Sequence, residues 1–412
     1  MIDNKSNPVN EKPDMESMDP VIEKTSCKIR QWFEKNDDLF FFIIMAILAF
    51  WVRLAFIPFK SGDYLINLEK WYNILKNGGF LSFKENFYDY TPMYLYLIWL
   101  ASYLPVSPEM AIKIISFVFD FVGAFFIALL VKEHYKNHFW TQLSFIVVLF
   151  IPTVIINSAI WAQCDFIYTA ALLATIYYLI KGNNWAAFIG YGIAFSFKIQ
   201  AVFLAPLLLF LWLKQKVKLY HFPIVPAVYI LTILPCVIAG RPFWDLMLID
   251  FNLTERYPWL TLGFANFYQW IANGNQYFTM YKNAGIILAA AAVIFLCYLS
   301  YKSKQKIDEE FILRFSLLSV LMMPFFLPSM HERYYFPAEM ISIALAFYRP
   351  RYIYIAMTII MVSFFSYCEN LFGAYIIEPK FLAIAMLLVI VKLVYDFIRY
   401  LSLEDSKNSV GA

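Results

Sequence analysis

Long apolar runs fill this chain from residue 39 to residue 399 and limit what it can fold into. The first run, residues 39–58, contains a single charged residue, Arg53. A helix that crosses a bilayer needs about 20 mainly apolar residues, because it rises about 1.5 Å per residue across roughly 30 Å of hydrocarbon. Only 15% of the residues are charged, whereas a soluble domain has about a quarter. The sequence therefore predicts an all-α polytopic membrane protein in a lipid bilayer.

Twelve segments are apolar enough to be predicted as transmembrane helices. They are residues 39–58, 110–131, 141–157, 165–180, 185–198, 200–213, 221–239, 284–301, 311–328, 337–348, 351–368 and 381–399. These segments define a membrane domain over residues 39–400. We predict a disordered tail over residues 1–38 and a second tail over residues 401–412.

Lys and Arg in the short loops predict the orientation, since such residues favour the cytoplasmic side. Five loops carry them: 132–136, 181, 214–218, 302–306 and 349–351. They share one side only if residues 92–104 form a helix lying in the outer interface, anchored by Tyr94, Tyr96, Trp99 and Tyr103. We therefore predict a plasma-membrane protein with both termini cytoplasmic. Residues 59–109 and 240–283 are then two long outer loops.

The first outer loop opens with Ser61-Gly62-Asp63-Tyr64 and continues to Glu69. A carboxylate at Asp63, close to the membrane edge, suits a general base that accepts a proton from a sugar hydroxyl. The alternative is a helix N-cap, because Asp is favoured there and the following residues look helical. Farther on, Asp89-Tyr90-Thr91-Pro92 is interpreted as a turn into the interfacial helix, with Asp89 structural.

A second polar group, residues 157–165, reads NSAIWAQCD between two apolar runs. Its hydrogen-bonding groups need water, each other or a ligand as partners. We interpret Trp161, Gln163 and Asp165 as lining a substrate cavity. The alternative is that Asn157 and Asp165 simply cap the ends of their helices.

A third group is His331-Glu332-Arg333, which we interpret as a phosphate clamp with Glu332 lining the cavity. The alternative is an Arg333 that snorkels to the membrane surface and pairs with Glu332. Lys198 and Gln200 interrupt another apolar stretch, where a charge is costly and therefore indicates function.

Arg53, Lys113 and Asp120 are the remaining charges inside predicted spans. Asp120 is interpreted as a buried structural hydrogen-bonding group, with a proton relay as the alternative. Arg53 is close enough to the outer boundary to snorkel or to meet a lipid phosphate.

Several function classes lack support in the sequence. The net charge is only +3, and without a large basic cluster we expect no nucleic-acid partner. The chain has no P-loop, no GxGxxG, no HExxH and no GxSxG. Neither a metal-ligand spacing nor a cofactor motif is apparent, so we expect no metal and no cofactor.

The order of these motifs resembles the GT-C superfamily of membrane glycosyltransferases. Within it, the chain is similar to bacterial relatives of the GPI mannosyltransferases and, more distantly, to the dolichyl-phosphate-glucose glucosyltransferases. The resemblance covers residues 50–350 and rests on five segments. They are GDY at 62–64, DYTP at 89–92, SAIWAQCD at 158–165, FKIQ at 197–200 and HER at 331–333. The chain departs from the pattern at Ala162, where relatives often have Gly.

The resemblance implies a GT-C-like bundle that moves a hexose from a polyprenyl-phosphate sugar to a glycan, glycolipid or protein. It implies that Asp63 is the base, that His331, Arg333 and Lys198 bind the donor phosphate, and that the reaction needs no metal and inverts the anomeric centre. It also implies an extracytoplasmic cavity. The residues proposed to line it are Tyr64, Glu69, Trp161, Gln163, Asp165, Gln200 and Glu332.

Two other function classes stay open. A secondary transporter also has about twelve spans and buried charges, although its polar sites gather at the midplane. A flippase or polymerase for lipid-linked glycans needs a similar lipid groove and basic patch. Loss of activity in Asp63→Ala with retained carrier binding distinguishes a transferase from a transporter.

Overall fold

A computed structural model describes residues 37–88, 90–249, 259–271 and 277–409, with side chains to residue 402. Most of the tail over residues 1–38, part of the second predicted outer loop, and Asp89 lie outside the described residues. The described residues divide into two units, with the boundary between Met45 and Ala46. The described chain is mostly helical, and its strands are two residues long, so the all-α prediction is confirmed.

Among the described residues, six helices are long and apolar enough to cross a membrane. They are Asp37–Ala55, Pro108–Tyr135, Leu219–Ala239, Phe278–Lys302, Pro350–Phe372 and Pro379–Ser402. A seventh candidate is the pair His138–Leu149 and Pro152–Ile160, which bends by 53°. Pro152 begins the second half of this pair, and a proline there has no N–H with which to continue the helix. These helices support a membrane environment.

The other predicted spans also coincide with helices, but these are shorter or more charged. They are Asp165–Ile180, Asn184–Phe197, Ala205–Leu213 after the 3-10 turn Ile199–Leu204, Glu309–Phe326 and Phe336–Tyr348. Three of them, Asp165–Ile180, Glu309–Phe326 and Phe336–Tyr348, are buried on nearly all sides, as expected for apolar helices inside a bundle. A total of about twelve spans stays a prediction.

The first predicted outer loop is well structured. It contains a π-helical turn Tyr64–Leu68, helix Glu69–Gly78, a 3-10 turn Gly79–Lys84 and helix Pro92–Ala101. The last helix has 10 residues and is about 15 Å long, so it does not cross a bilayer. Tyr94 as a lipid anchor is wrong, because its side chain is 1% exposed.

The second predicted outer loop meets the His-Glu-Arg segment through a short parallel pair of strands. Strand Thr261–Leu262 pairs with strand Met330–His331. The loop also holds helix Phe243–Met247 and the 3-10 turn Phe267–Trp270. This pairing holds the backbone directly before Glu332 and Arg333 in place.

The final helix, Pro379–Ser409, runs farther than expected. It enters the segment 401–412 that the sequence predicts as a tail. The apolar pattern ends near residue 399, but helical backbone continues because helix formers such as Leu and Glu follow.

The five predicted cytoplasmic loops converge. A residue within or directly next to each loop lines a single cavity of about 540 Å³; these residues are His134, Gly182, Lys216, Lys306 and Arg349. The loops therefore share one end of the unit formed by residues 46–412. The side of the membrane on which this end lies stays a prediction.

Candidate functional site

Asp63 is held by a segment about 100 residues away in sequence. Its carboxylate oxygen Oδ2 accepts hydrogen bonds from Trp161 Nε1 and from Gln163 Nε2, both at 2.8 Å. Asp63 directly precedes the π-helical turn Tyr64–Leu68 but makes no side-chain cap. The N-cap alternative is therefore wrong.

Asp165 is the buried centre of a second group. Its Oδ1 lies 2.5 Å from Lys198 Nζ, and its Oδ2 accepts a hydrogen bond from Asn157 Nδ2 at 2.8 Å. Asp165 and Lys198 are 0% and 4% exposed as side chains. Asp165 opens its helix without capping it. The capping alternative for Asn157 and Asp165 is therefore wrong, because these side chains bind each other.

Arg333 links the two carboxylates. Its Nη1 lies 3.7 Å from Asp63 Oδ2, and its Nε lies 3.9 Å from Asp165 Oδ2. The guanidinium carbon is 5.2 Å from the ring centre of Trp161. With a side chain only 9% exposed, Arg333 does not snorkel, so that alternative is wrong. It joins segments that the sequence separates by more than 160 residues.

The guanidinium of Arg333 has spare donors. Within the part of the chain that the structure describes, its buried Nε and Nη1 have no hydrogen-bond acceptor. Burial alone lowers the pKa of Arg333, but Tyr90, Asp165 and Glu332 nearby raise it well above its ordinary value. The group is therefore charged and has N–H bonds to offer to an anion.

Two tyrosines that sequence reasoning did not assign to the site flank Lys198. Its Nζ lies 5.5 Å from the ring centre of Tyr90 and 5.6 Å from that of Tyr168, within the range of cation–π attraction. Burial raises the pKa of Tyr90 to about 12, so its hydroxyl stays neutral. The sequence contained a signal for Tyr168, because it follows Asp165 by three residues and therefore lies on the same face of the helix.

The backbone of residues 156–163 positions Trp161 and Gln163. Their N–H groups donate to the carbonyls of Ile156 and Asn157, each at 2.8 Å. Two serines hold the other side of this turn. Ser61 Oγ donates to the Trp161 carbonyl at 2.9 Å, and Ser116 Oγ donates to the Gln163 carbonyl at 2.7 Å.

Ala162 has a left-handed backbone, with φ of +63°. This conformation costs an L-residue about 1–2 kcal/mol, and glycine adopts it freely. We expect Ala162→Gly to raise the free energy of unfolding by up to about 1 kcal/mol, because the relieved strain exceeds the added chain entropy. Thermal unfolding of the purified protein measures this. Ala159→Gly, in the π-helical turn Ile156–Ile160, is the control and should lower stability; a less stable Ala162→Gly would contradict the prediction.

A buried ion pair lies beneath this turn. Arg53 Nε is 2.7 Å from Asp120 Oδ2, and Ser158 Oγ donates to the same oxygen at 2.6 Å. Arg53 also donates to the carbonyls of Ala49 and Leu149. Because Arg53 is fully buried, its predicted snorkelling is wrong. Asp120 accepts buried hydrogen bonds from Arg53 and Ser158, as its structural interpretation predicts.

Two other predicted site residues, Glu69 and Glu332, have partners of their own. Glu69 Oε1 accepts from Lys60 Nζ at 3.2 Å and from the Tyr64 hydroxyl at 3.3 Å. Glu332 Oε2 lies 3.7 Å from His331 Nδ1. Gln200 is two residues beyond Lys198, and the described structure gives it no hydrogen bond to the carboxylates.

The assembled site has two carboxylates and two cations in alternation. Lys198 faces Asp165, and Arg333 lies between Asp165 and Asp63. Such an arrangement presents a partly exposed acid beside a buried cation with free donors, which suits proton removal next to a developing negative charge. Among the described residues, no group of three or more His, Cys, Asp or Glu is placed to hold a metal ion.

Comparison with known proteins gives no family. A scan against protein-family models found no match, and a search of curated proteins found none either.

Proposed function

We propose that this protein is a membrane glycosyltransferase that moves a hexose from a polyprenyl-phosphate sugar to a glycan, glycolipid or protein acceptor. The observation that carries the proposal is the position of Arg333. Among the described residues, its buried Nε and Nη1 have no hydrogen-bond acceptor, and they lie 3.9 Å from Asp165 Oδ2 and 3.7 Å from Asp63 Oδ2 respectively. A phosphate oxygen is the kind of acceptor that such donors bind strongly.

Asp63 acts as the general base in this proposal. One third of its side chain is exposed, so an acceptor hydroxyl can reach it. Its two hydrogen bonds both end on Oδ2, which leaves Oδ1 to take the proton. Trp161 and Gln163 fix the carboxylate in one orientation, and a fixed base within hydrogen-bond reach is what proton transfer needs.

The transfer step is a direct displacement. The acceptor oxygen attacks the anomeric carbon while its proton passes to Asp63. The bond between that carbon and the phosphate oxygen breaks, and the electron pair stays on the phosphate, which Arg333 stabilises. Attack opposite the leaving group inverts the anomeric configuration. The step uses no metal.

The two other predicted phosphate ligands contribute differently. Lys198 is 4% exposed and engaged by Asp165, so we assign it to holding Asp165 and, through it, Arg333. His331 lies in the strand Met330–His331 with a side chain 25% exposed, and we assign it to contact with the phosphate. We also propose that this site lies on the extracytoplasmic face of the membrane.

The direct test is transfer by purified protein in lipid nanodiscs, supplied with a panel of polyprenyl-phosphate sugars. We expect one member to be consumed, with release of polyprenyl phosphate and a product of inverted configuration by NMR. Consumption of none, together with uptake of a solute into proteoliposomes, would replace the proposal with a transporter. Movement of intact lipid-linked glycan across the membrane would replace it with a flippase.

A further inference from the structure

The cavity formed by the five basic loops is separate from the cluster around Asp63. It has a volume of about 540 Å³, in the range of cavities that hold small ligands. Its lining includes Asn184, Lys216, Lys306, Asp308 and Arg349. None of these residues belongs to the proposed catalytic site, so the cavity needs its own explanation.

The loops around the cavity are strongly basic. Residues 132–136, 181, 214–218, 302–310 and 349–351 contain eleven Lys or Arg and four Asp or Glu. The lining itself balances Lys216, Lys306 and Arg349 against Asp308, Glu309 and Glu310, so the excess of positive charge lies in the loops around the cavity. Such an excess raises the local concentration of anions. The field at this end of the protein therefore favours an anion.

The acidic residues in the lining already have partners. Glu310 accepts hydrogen bonds from both Arg314 and Arg349. Asp308 caps its helix at the N–H of Phe311 and accepts from the Tyr400 hydroxyl. Glu309 Oε2 accepts from the Tyr348 hydroxyl at 3.3 Å. These contacts hold the carboxylates in place and weaken their electrostatic attraction for the remaining lysines.

Lys216 and Lys306 differ in this respect. Neither forms an ion pair with any Asp or Glu in the described parts of the chain. Both are exposed at the cavity. Two unpaired ammonium groups beside Arg349 are suited to share the oxygens of one phosphate.

The surroundings point to a lipid as the source of that phosphate. Trp185, next to the lining residue Asn184, is 57% exposed, and Trp140 is 38% exposed. Exposed tryptophans near the ends of apolar helices are typical of the headgroup level of a membrane. Basic pockets between helix ends at that level bind anionic headgroups.

We propose that this cavity binds the phosphate of an anionic phospholipid headgroup through Lys216 and Lys306. The cavity lies at the Ile180 end of helix Asp165–Ile180, whereas Asp165 of the catalytic cluster lies at the other end. The lipid proposal is independent of the glycosyltransferase proposal, because it requires only that the protein lies in a membrane.

The test is lipid retention by the full-length protein. The protein is taken from nanodiscs of phosphatidylcholine with phosphatidylglycerol, and bound lipid is counted by native mass spectrometry. We expect wild type to retain phosphatidylglycerol selectively. Lys216→Gln/Lys306→Gln should weaken its binding about 30-fold (about 2 kcal/mol), since each lysine near an anionic lipid contributes about half of that free energy.

Lys76→Gln/Lys84→Gln removes the same charge from the first predicted outer loop and is the matched control. It should retain the lipid as wild type does. Equal retention in both double variants, or equal loss in both, overturns the proposal, because the lipid then binds nonspecifically. A second experiment measures thermal unfolding of the wild type with inorganic phosphate or glycerol phosphate. If these compounds stabilise the protein and no phosphatidylglycerol is retained selectively, the cavity binds a soluble phosphate and the lipid proposal is wrong.

Discussion

Asp63→Asn is expected to lower transfer by about 10²–10⁴-fold, the usual contribution of general base catalysis, while the protein folds and binds its carrier. The asparagine side chain has the same size and its amide oxygen still accepts from Trp161 and Gln163. What it loses is the ability to take a proton. Asp63→Asn therefore separates chemistry from the shape of the site.

The measurement pairs turnover of the sugar donor with binding of polyprenyl phosphate in the same preparation. Asp38→Asn is the matched control, because it makes the same change at an exposed position of the first helix and should leave turnover unchanged. If Asp63→Asn turned over at the wild-type rate, Asp63 would not be the base. Loss of both turnover and carrier binding would give Asp63 a binding role instead.

Asp120→Leu is expected to lower the free energy of unfolding by about 3–5 kcal/mol, because it leaves Arg53 charged and unpaired in a buried position. Arg53 and Asp120 are 0% and 1% exposed, with a distance of 2.7 Å between Nε and Oδ2. The remaining bonds of Arg53, to the carbonyls of Ala49 and Leu149, do not neutralise its charge. The Ser158 hydroxyl also loses its acceptor at Asp120.

Arg53→Met/Asp120→Leu removes both charges and is the matched variant. Its stability should be closer to wild type than that of Asp120→Leu, since an apolar pair of similar volume often replaces a buried ion pair at little cost. Unfolding in mixed detergent is measured for the wild type, Arg53→Met, Asp120→Leu and the double variant. The four free energies of unfolding give the coupling free energy between the two residues. A single variant as stable as wild type would show that the pair carries no stability.

The predicted membrane helices follow from composition and length. A run of apolar residues has few structures open to it in lipid, since only hydrogen-bonded helices or closed barrels satisfy the backbone there. Every predicted span therefore coincides with a described helix. The polar motifs were also visible, because Asp63, Gln163, Lys198 and Arg333 interrupt or border apolar runs where a polar group needs a partner.

The sequence by itself thus determined the helical class, the positions of the apolar segments and most of the residues gathered at the candidate site. Only the tertiary structure decided their partners: Asp165 rather than a ligand for Lys198, two carboxylates rather than Glu332 for Arg333, and Asp120 rather than a lipid for Arg53. It also decided that Ala162 takes a left-handed backbone, which local sequence does not require of alanine. The reason is physical: apolar periodicity and composition act locally along the chain, whereas the pairing of buried charges depends on how distant helices pack and on the high cost of leaving any of those charges alone.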